Sequence, residues 1–361
     1  MYYTLLRPLL FQLDPERAHG LALNAARVGT RLGLARGASR LRVVPRRIMG
    51  VQFPNPVGLA AGFDKDGRYL NVIGRLGFGF VELGTVTPRP QQGNPPPRLF
   101  RLPHQEALIN RMGFNNGSAN ALARNIEKSN FTGVVGVNIG KNKETPPQRA
   151  ADDYASALGS VYSVADYVAI NLSSPNTPGL RALQREESVL RSILYRLRNE
   201  RQRLAMVHQK YVPLVVKVAP DWQPGELERT LDVLLEYCID GIVATNTTLN
   251  REGIALEAAA KEAGGLSGGP LRDDAERVLQ RIAEYTAGQI TLMGVGGIFS
   301  GADVTSRFQA GADLVQLYTG LVYRGPGLIA ESIKAANEVR QKVVQRRRHA
   351  CNTPLALPRS V

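Results

Sequence analysis

A chain of 361 residues that is 43% hydrophobic, with 36 glycines, has the composition of a compact, loop-rich enzyme and excludes a fibrous or disordered polymer. Cys238 and Cys351 stand far apart with no CxxC spacing, which argues against a disulfide framework or a zinc site and points to a reducing compartment. The net charge of +14 sits mostly at the ends, +7 in residues 1–47 and +5 in residues 338–361, and the nearly neutral body between them is not that of a nucleic-acid binder.

The first element is the apolar "MYYTLLRPLLFQL". After it, "DPERAHGLALNAARVGTRLGL" reads as a helix: Asp14 suits the cap, Pro15 the first turn, and Ala18, Leu21, Ala22, Ala25, Val28 and Leu32 make one apolar stripe flanked by Arg17, Arg27 and Arg31. No apolar run here approaches the ~20 residues of a spanning helix. Arg7-Pro8 interrupts the only candidate, and the small-residue cleavage site of a signal peptide is missing. The spacing predicts a membrane-associating domain over residues 1–45, two short amphipathic helices lying in the interface with arginines toward anionic head groups. The plainer alternative is a helical cap packed on the core.

From residue 57 one pattern repeats: a short run rich in valine, isoleucine and leucine, ending in glycine or a polar residue, then a helical stretch. The runs are "PVGLAAG" near 57, "FVELGTV" near 80, "VVGVNIG" near 134, "YVAINLS" near 167, "LVVKVAP" near 214, "GIVATNT" near 241, "ITLMGVGGI" near 290 and "DLVQLYTG" near 313. Near-continuous apolar strands alternating with helices imply a parallel sheet buried on both faces. Eight such units predict a closed (β/α)8 TIM barrel over residues 46–337, an open doubly wound sheet being the alternative. The long segment between the second and third runs exceeds a simple crossover and is expected to form an insertion over the barrel mouth. Residues 338–361 read as a solvated, partly disordered basic tail.

Function in such a barrel collects at the carboxyl ends of the strands. Those ends carry Ala61, Gly62 and Lys65; Thr85; Asn138; Asn171, Ser174 and Asn176; Lys217; Thr245, Asn246 and Thr247; Gly296 and Gly297; and Tyr318 and Thr319. Neutral amides and hydroxyls dominate, which suits a ligand with amide-like edges, and two lysines can hold an anionic centre. His19, His104, His208 and His349 are scattered and no carboxylate cluster accompanies them, so no metal is expected. "GVGGI" and "LYTGLVYRGPGL" follow the seventh and eighth strands, where glycine backbone and hydroxyls cradle a phosphate, and "GGLSGGP" around Gly268 adds a third glycine loop. In "NLSSPNTPGL", residues 171–180, two prolines stiffen more hydrogen-bonding side chains than a turn needs.

These segments, together with "GLAAGFDKDG", "ELGTVTPRPQQGNPPPR" and "INRMGFNN", resemble the dihydroorotate dehydrogenases of the quinone-linked, membrane-associated class, in consistent order over roughly residues 1–335. The resemblance implies an FMN-bearing barrel, one FMN per chain, that oxidises dihydroorotate to orotate in pyrimidine synthesis and passes the electrons to a membrane quinone. It further implies a monomeric peripheral membrane protein on the cytoplasmic face of a bacterial cell membrane. Its reaction needs a base for the methylene proton, and Ser174 matches the family's active-site serine, with Thr177 or water as the next proton acceptor. Serine rather than cysteine there favours the membrane class.

By the same resemblance, Lys65 and the segment Asn110, Arg111, Met112, Gly113 and Phe114 hold the substrate with Asn171, Asn176, Asn246 and Thr247. An asparagine amide pairs a donor with an acceptor, as alternating N–H and carbonyl edges require. FMN contacts are carried over to Ala61, Gly62, Phe63, Asp64, Lys65, Thr85, Asn138, Asn171, Lys217, Thr245, Gly268, Gly297, Tyr318 and Thr319. Lys217 is expected at the pyrimidine edge of the flavin, where a fixed cation eases reduction. His19 and Arg101 are expected on the quinone path. Three rivals remain open on the residues alone: a colourless phosphate-gripping aldolase or isomerase using Lys217 as a Schiff base, a nucleic-acid-binding scaffold, and a flavin reductase acting on RNA.

Overall fold

All eight apolar runs form strands, and these close into one parallel barrel. In chain order the strands of the molecule are β1 (Arg46–Ile48), β2 (Val51–Phe53), β3 (Val57–Leu59), β4 (Phe80–Val86), β5 (Leu99–Leu102), β6 (Ala107–Asn110), β7 (Val134–Ile139), β8 (Tyr167–Asn171), β9 (Leu214–Val218), β10 (Gly241–Ala244), β11 (Gly265–Gly268), β12 (Thr291–Val295) and β13 (Leu314–Leu317). The barrel runs β3-β4-β7-β8-β9-β10-β12-β13 and returns to β3. The structure is a computed structural model and describes residues 2–32 and 44–351.

The two faces of each strand do different work, because side chains alternate. Val81, Leu83, Val135, Val137, Val168, Ile170, Val216 and Ile242 face the surrounding helices and build the large outer core. Phe80, Tyr167, Val215, Val243, Met293 and Leu314 face inward. Phe53, brought under the barrel by the β1–β2 hairpin, meets the Phe80 ring edge-on at 5.4 Å and lies 6.5 Å from Tyr167, so aromatic rings seal the floor. Gly136 makes room for one of them: a Cβ there would lie 2.1 Å from the Tyr167 ring. One step up the strands the interior turns polar, with Glu82 and Gln316 fully or almost fully buried. Asn138, Asn171 and Lys217 lie above them, and Asn171 stands beside Lys217 in the β8–β9 register.

The long insertion is a second small sheet. β5 and β6 form an antiparallel hairpin, and β11, the "GLSG" strand from the far end of the chain, adds to β6 with Gly265 opposite Asn110. Sequence distance hid this pairing, and it is what carries the Gly268 loop to the mouth.

Two helices precede the barrel, α1 (Tyr2–Gln12) and α2 (Pro15–Arg31). Asp14 caps α2 by accepting from Arg17 N at 2.9 Å, with Pro15 in the first turn, as the sequence predicts. The pair is tied to the barrel: Tyr3 Oη donates to Val322 O, Arg7 Nη1 to Tyr323 O at 2.9 Å, and Arg98 forms an ion pair with Glu16 at 2.6 Å. The far side of the pair is apolar and uncovered, with Leu5 at 72%, Leu9 at 62% and Leu32 at 68% exposure. No described helix is long and apolar enough to cross a membrane. At the other end, the expectation of a tail from residue 338 needs correction: the terminal helix runs Gly327–Cys351 without a break at that boundary, because "IAESIKAANEVRQKVVQ" is built from good helix formers. The rest of the predicted tail, residues 352–361, lies outside the described residues.

Candidate active site

One cavity of about 800 Å³ occupies the barrel mouth and continues outward beneath α1 and α2. Its inner half is an amide and hydroxyl cage. Asn171 Nδ2 donates to Thr85 Oγ1 at 3.0 Å, Asn246 Nδ2 donates to Ser173 Oγ at 3.0 Å and to Asn171 Oδ1 at 3.3 Å, and Asn176 Nδ2 donates to Asn110 Oδ1 at 3.0 Å. Ser174 lies in this wall, almost fully buried, its Oγ accepting from Asn176 N at 3.3 Å. The lip that bears it is pinned by Arg181, which donates to Ser173 O at 2.9 Å and to Thr247 O at 2.6 Å and forms an ion pair with Asp221 at 2.5 Å. Proline stiffness and this three-way anchor together hold Ser174 against the cavity.

Two cations face the same space. Lys217 is set deep in the barrel interior, and burial lowers its pKa against the opposing pull of Glu82. No hydrogen bond or ion pair to its ammonium forms among the described residues. A buried, unpartnered ammonium is costly and calls for an electron-rich neighbour. Lys65 Nζ donates to Gly62 O at 3.2 Å. Its side chain borders the open cavity but is set deeply enough that burial pushes its pKa down to about 8.

A third corner is made of glycine backbone. Gly268, Gly296, Gly297 and Gly320 line it, and Thr319 Oγ1 lies 2.8 Å from Ser267 Oγ. Gly297 has φ +66°, and a Cβ there would lie 2.3 Å from Arg272 Cα, so only glycine lets these two turns meet. The helix Thr319–Arg324 begins here with no side-chain cap, leaving its first N–H groups for a ligand. The three glycine motifs, far apart in sequence, thus meet.

Most of the sequence-predicted residues are brought together: Ala61, Gly62, Phe63, Lys65 and Thr85, then Asn110, Met112, Gly113 and Phe114, and then Thr245, Thr247 and Tyr318 line the cavity with those already described. Four do not reach its wall. Asp64 turns away to accept from Arg68 N and Tyr69 N and so closes its own loop. Arg111 stacks on Phe100 with 4.6 Å between guanidinium and ring centre and forms an ion pair with Glu262 at 2.5 Å, outside the cage. Asn138 lies one layer behind Thr85, whose Oγ1 donates to Asn138 Oδ1 at 2.5 Å. Thr177 is buried in the lip. Sequence reasoning missed Gln316 and Ser267, which do line the cavity, and Glu82, which supports it.

The outer half changes character. Leu6, Leu10, Phe11, Ala18, Leu21 and Ala22 line it. His19 Nε2 lies 2.7 Å from Phe63 O with its ring edge-on to Phe63, and Phe63 in turn is edge-on to Tyr318 at 5.8 Å. Burial lowers the His19 pKa and so favours the neutral ring. Arg101 borders this half too, yet it also donates to Leu13 O at 2.8 Å and sits over the Phe11 ring, tethering the turn between the two helices.

Fold and site define a (β/α)8-barrel enzyme for a small anion with amide-like edges. The sequence model of the family described as Dihydroorotate dehydrogenase matches residues 43–339, and the chain belongs to that family. It is therefore an oxidoreductase that converts dihydroorotate to orotate. The chain is 62% identical over 334 residues, 92% of its length and 97% of the relative's, to the dihydroorotate dehydrogenase (quinone) of Halorhodospira halophila. It is 54% identical to the protein of the same name from Alkalilimnicola ehrlichii, over 92% of this chain and 98% of that one. A crystal structure of DHODH from Eimeria tenella in complex with ferulenol superposes with a TM-score of 0.82 at 38% identity, covering 92% of both chains.

Family membership implies a flavin. The residues fit one: the unpartnered Lys217 ammonium, the buried and unpaired Gln316 Oε1, and the uncapped glycine corner offer respectively a cation, an acceptor and amide donors on the wall of one cavity.

Proposed function

We propose that the chain oxidises dihydroorotate with FMN as the flavin and a membrane quinone as final acceptor, working as a monomer attached to the cytoplasmic face of the membrane through α1 and α2. FMN, when bound, supplies the acceptor for the substrate's hydride and relays the electron pair onward. Ser174 Oγ takes the methylene proton and hands it to water or to Thr177. Lys65 Nζ pairs with the substrate carboxylate. Asn176 Oδ1, buried and without a partner, accepts from a ring N–H, while Asn110, Asn171 and Asn246 meet the remaining edges. Lys217 holds positive charge at the pyrimidine edge of the cofactor, and the glycine corner with Thr319 holds the phosphate. The arginine-pinned lip excludes water from the reacting atoms.

The observation that carries this reading is the continuity of the cavity: one space joins Ser174 and Lys217 to a lining of leucines under two helices whose outer face is apolar. A lipid-soluble acceptor reaches the cofactor along that lining without crossing the polar cage. The test is spectroscopic. Purified protein is expected to be yellow, to bleach anaerobically with dihydroorotate, and to regain colour on adding a quinone. Colourless protein, or colour that dihydroorotate leaves intact, overturns the reading.

A further inference from the structure

A carboxylate sits inside the barrel, beneath the cage, where the oxidation gives it no task. Glu82 is completely buried. Three groups donate to it: Asn138 Nδ2 at 2.9 Å to Oε1, and Tyr167 Oη at 2.9 Å and Gln316 Nε2 at 2.7 Å to Oε2. An ionised carboxylate only accepts. Asn138 must therefore turn its NH2 down to Glu82 and its carbonyl up, where it accepts from Thr85 Oγ1 at 2.5 Å. With its one proton committed, Thr85 Oγ1 can only accept from above, and Asn171 Nδ2 donates to it at 3.0 Å. That in turn leaves Asn171 Oδ1 to accept from Asn246 Nδ2, and Asn246 Oδ1 to accept from Thr247 N at 2.8 Å. Every donor in this chain points toward Glu82, across β4, β7, β8 and the end of β10. Gln316 is oriented by the same rule: with its NH2 held by Glu82, its Oε1 is left buried and unpaired in a residue that lines the cavity.

We infer that Glu82 is a positioning residue that sets the donor and acceptor polarity of the substrate and flavin cage from below. The inference rests on the flavin reading above. Glu82 is the charged group that opposes the burial of Lys217. Reversal of any one amide would present N–H where the ligand needs a carbonyl, and a neutral side chain at 82 no longer forbids it.

The test uses the flavin-loaded full chain. Glu82→Gln keeps size and shape but removes the charge and adds a donor. Expected are a flavin midpoint potential shifted to a more positive value, since a negative charge beneath the site is gone, and orotate binding, read by perturbation of the flavin spectrum, weakened about tenfold or more. Tyr167→Phe removes one donor from Glu82 and leaves the charge less neutralised, so its potential shifts the other way. Opposite shifts are not produced by loosened packing, and Tyr167→Phe serves where Glu82→Gln fails to fold. Potentials and orotate affinity within twofold-equivalent change in the variants overturn the inference; a wild-type chain that holds no flavin overturns the reading beneath it instead.

Discussion

The inner and outer halves of the cavity share one wall and follow opposite rules. Inside, asparagine, serine and threonine side chains dominate the polar lining, most of them fixed by hydrogen bonds to one another across neighbouring strands and loops, with Lys217 left unpartnered among them. Outside, the lining is largely leucine, alanine and phenylalanine from α1 and α2, with His19 and Arg101 among its polar points, both engaged to backbone carbonyls. Directional bonds place a ring to within a fraction of an ångström, which chemistry at a carbon atom demands. Apolar contacts are non-directional and let a long greasy acceptor slide in and out. Phe63 and Tyr318 sit at the junction.

The sharpest way to separate the halves is Ser174→Ala. Anaerobic bleaching by dihydroorotate is expected to slow by roughly 10²- to 10⁴-fold, the usual worth of a positioned proton acceptor, while the folded protein keeps its flavin colour. Unchanged bleaching in a stopped-flow trace would remove Ser174 from the chemistry. Removing residues 1–45 attacks the other half: reduction of a long-chain quinone in vesicles is expected to fall more than tenfold, with reduction of a water-soluble dye spared. Equal loss with both acceptors would mean that the helices support the fold rather than the acceptor path.

A finer probe is pH. Under the proposed function the substrate carboxylate pairs with the charged form of Lys65, whose pKa burial pushes down to about 8. The specificity constant for dihydroorotate should therefore fall about tenfold per unit above that pH, and Lys65→Met should lower it throughout and flatten that limb. Stability moves the other way. Between about pH 8 and the ordinary lysine value near 10.4 the unfolded chain binds the proton that the folded one has lost, so this group's contribution rises with pH over that window, which titrated urea melts would register. The smallest effect expected is that of Leu9→Asp on the uncovered face of α1: weaker binding to anionic vesicles, by about tenfold given the roughly 1.5–3 kcal/mol of a buried leucine, with dihydroorotate bleaching unaltered.

Much of this division was legible beforehand. Each barrel strand announced itself as a valine-rich run between glycine or polar stops, and Asp14-Pro15 marked the start of α2. Site residues at strand ends could be read because a barrel gathers those ends. What stayed hidden depended on pairings across long sequence distance. Nothing in "GGLSGGP" tells that it joins β6 as an antiparallel edge, nor that Ser267 would meet Thr319. Glu82 and Gln316 are hidden for a different reason: "FVELGTV" and "DLVQLYTG" read as continuous buried runs, which mask the strand alternation that points Phe80, Glu82 and Gly84 to one side. A lone carboxylate inside a strand with apolar flanks was the available signal. Asp64 and Arg111 sit beside cavity-lining neighbours but point elsewhere: Asp64 closes its own loop onto Arg68 N and Tyr69 N, and Arg111 follows the end of β6, where adjacent side chains face opposite ways.

The aromatic stopper formed by Phe53, Phe80 and Tyr167 has a logistical consequence. With the bottom corked, the proposed routes, a water-borne acid past the asparagine lip and a lipid-borne acceptor beneath the paired helices, converge on the same chamber from the mouth side. On the proposed attachment through those helices, the lip has to be left facing water, so the tilt of the molecule on a bilayer would be part of its working design.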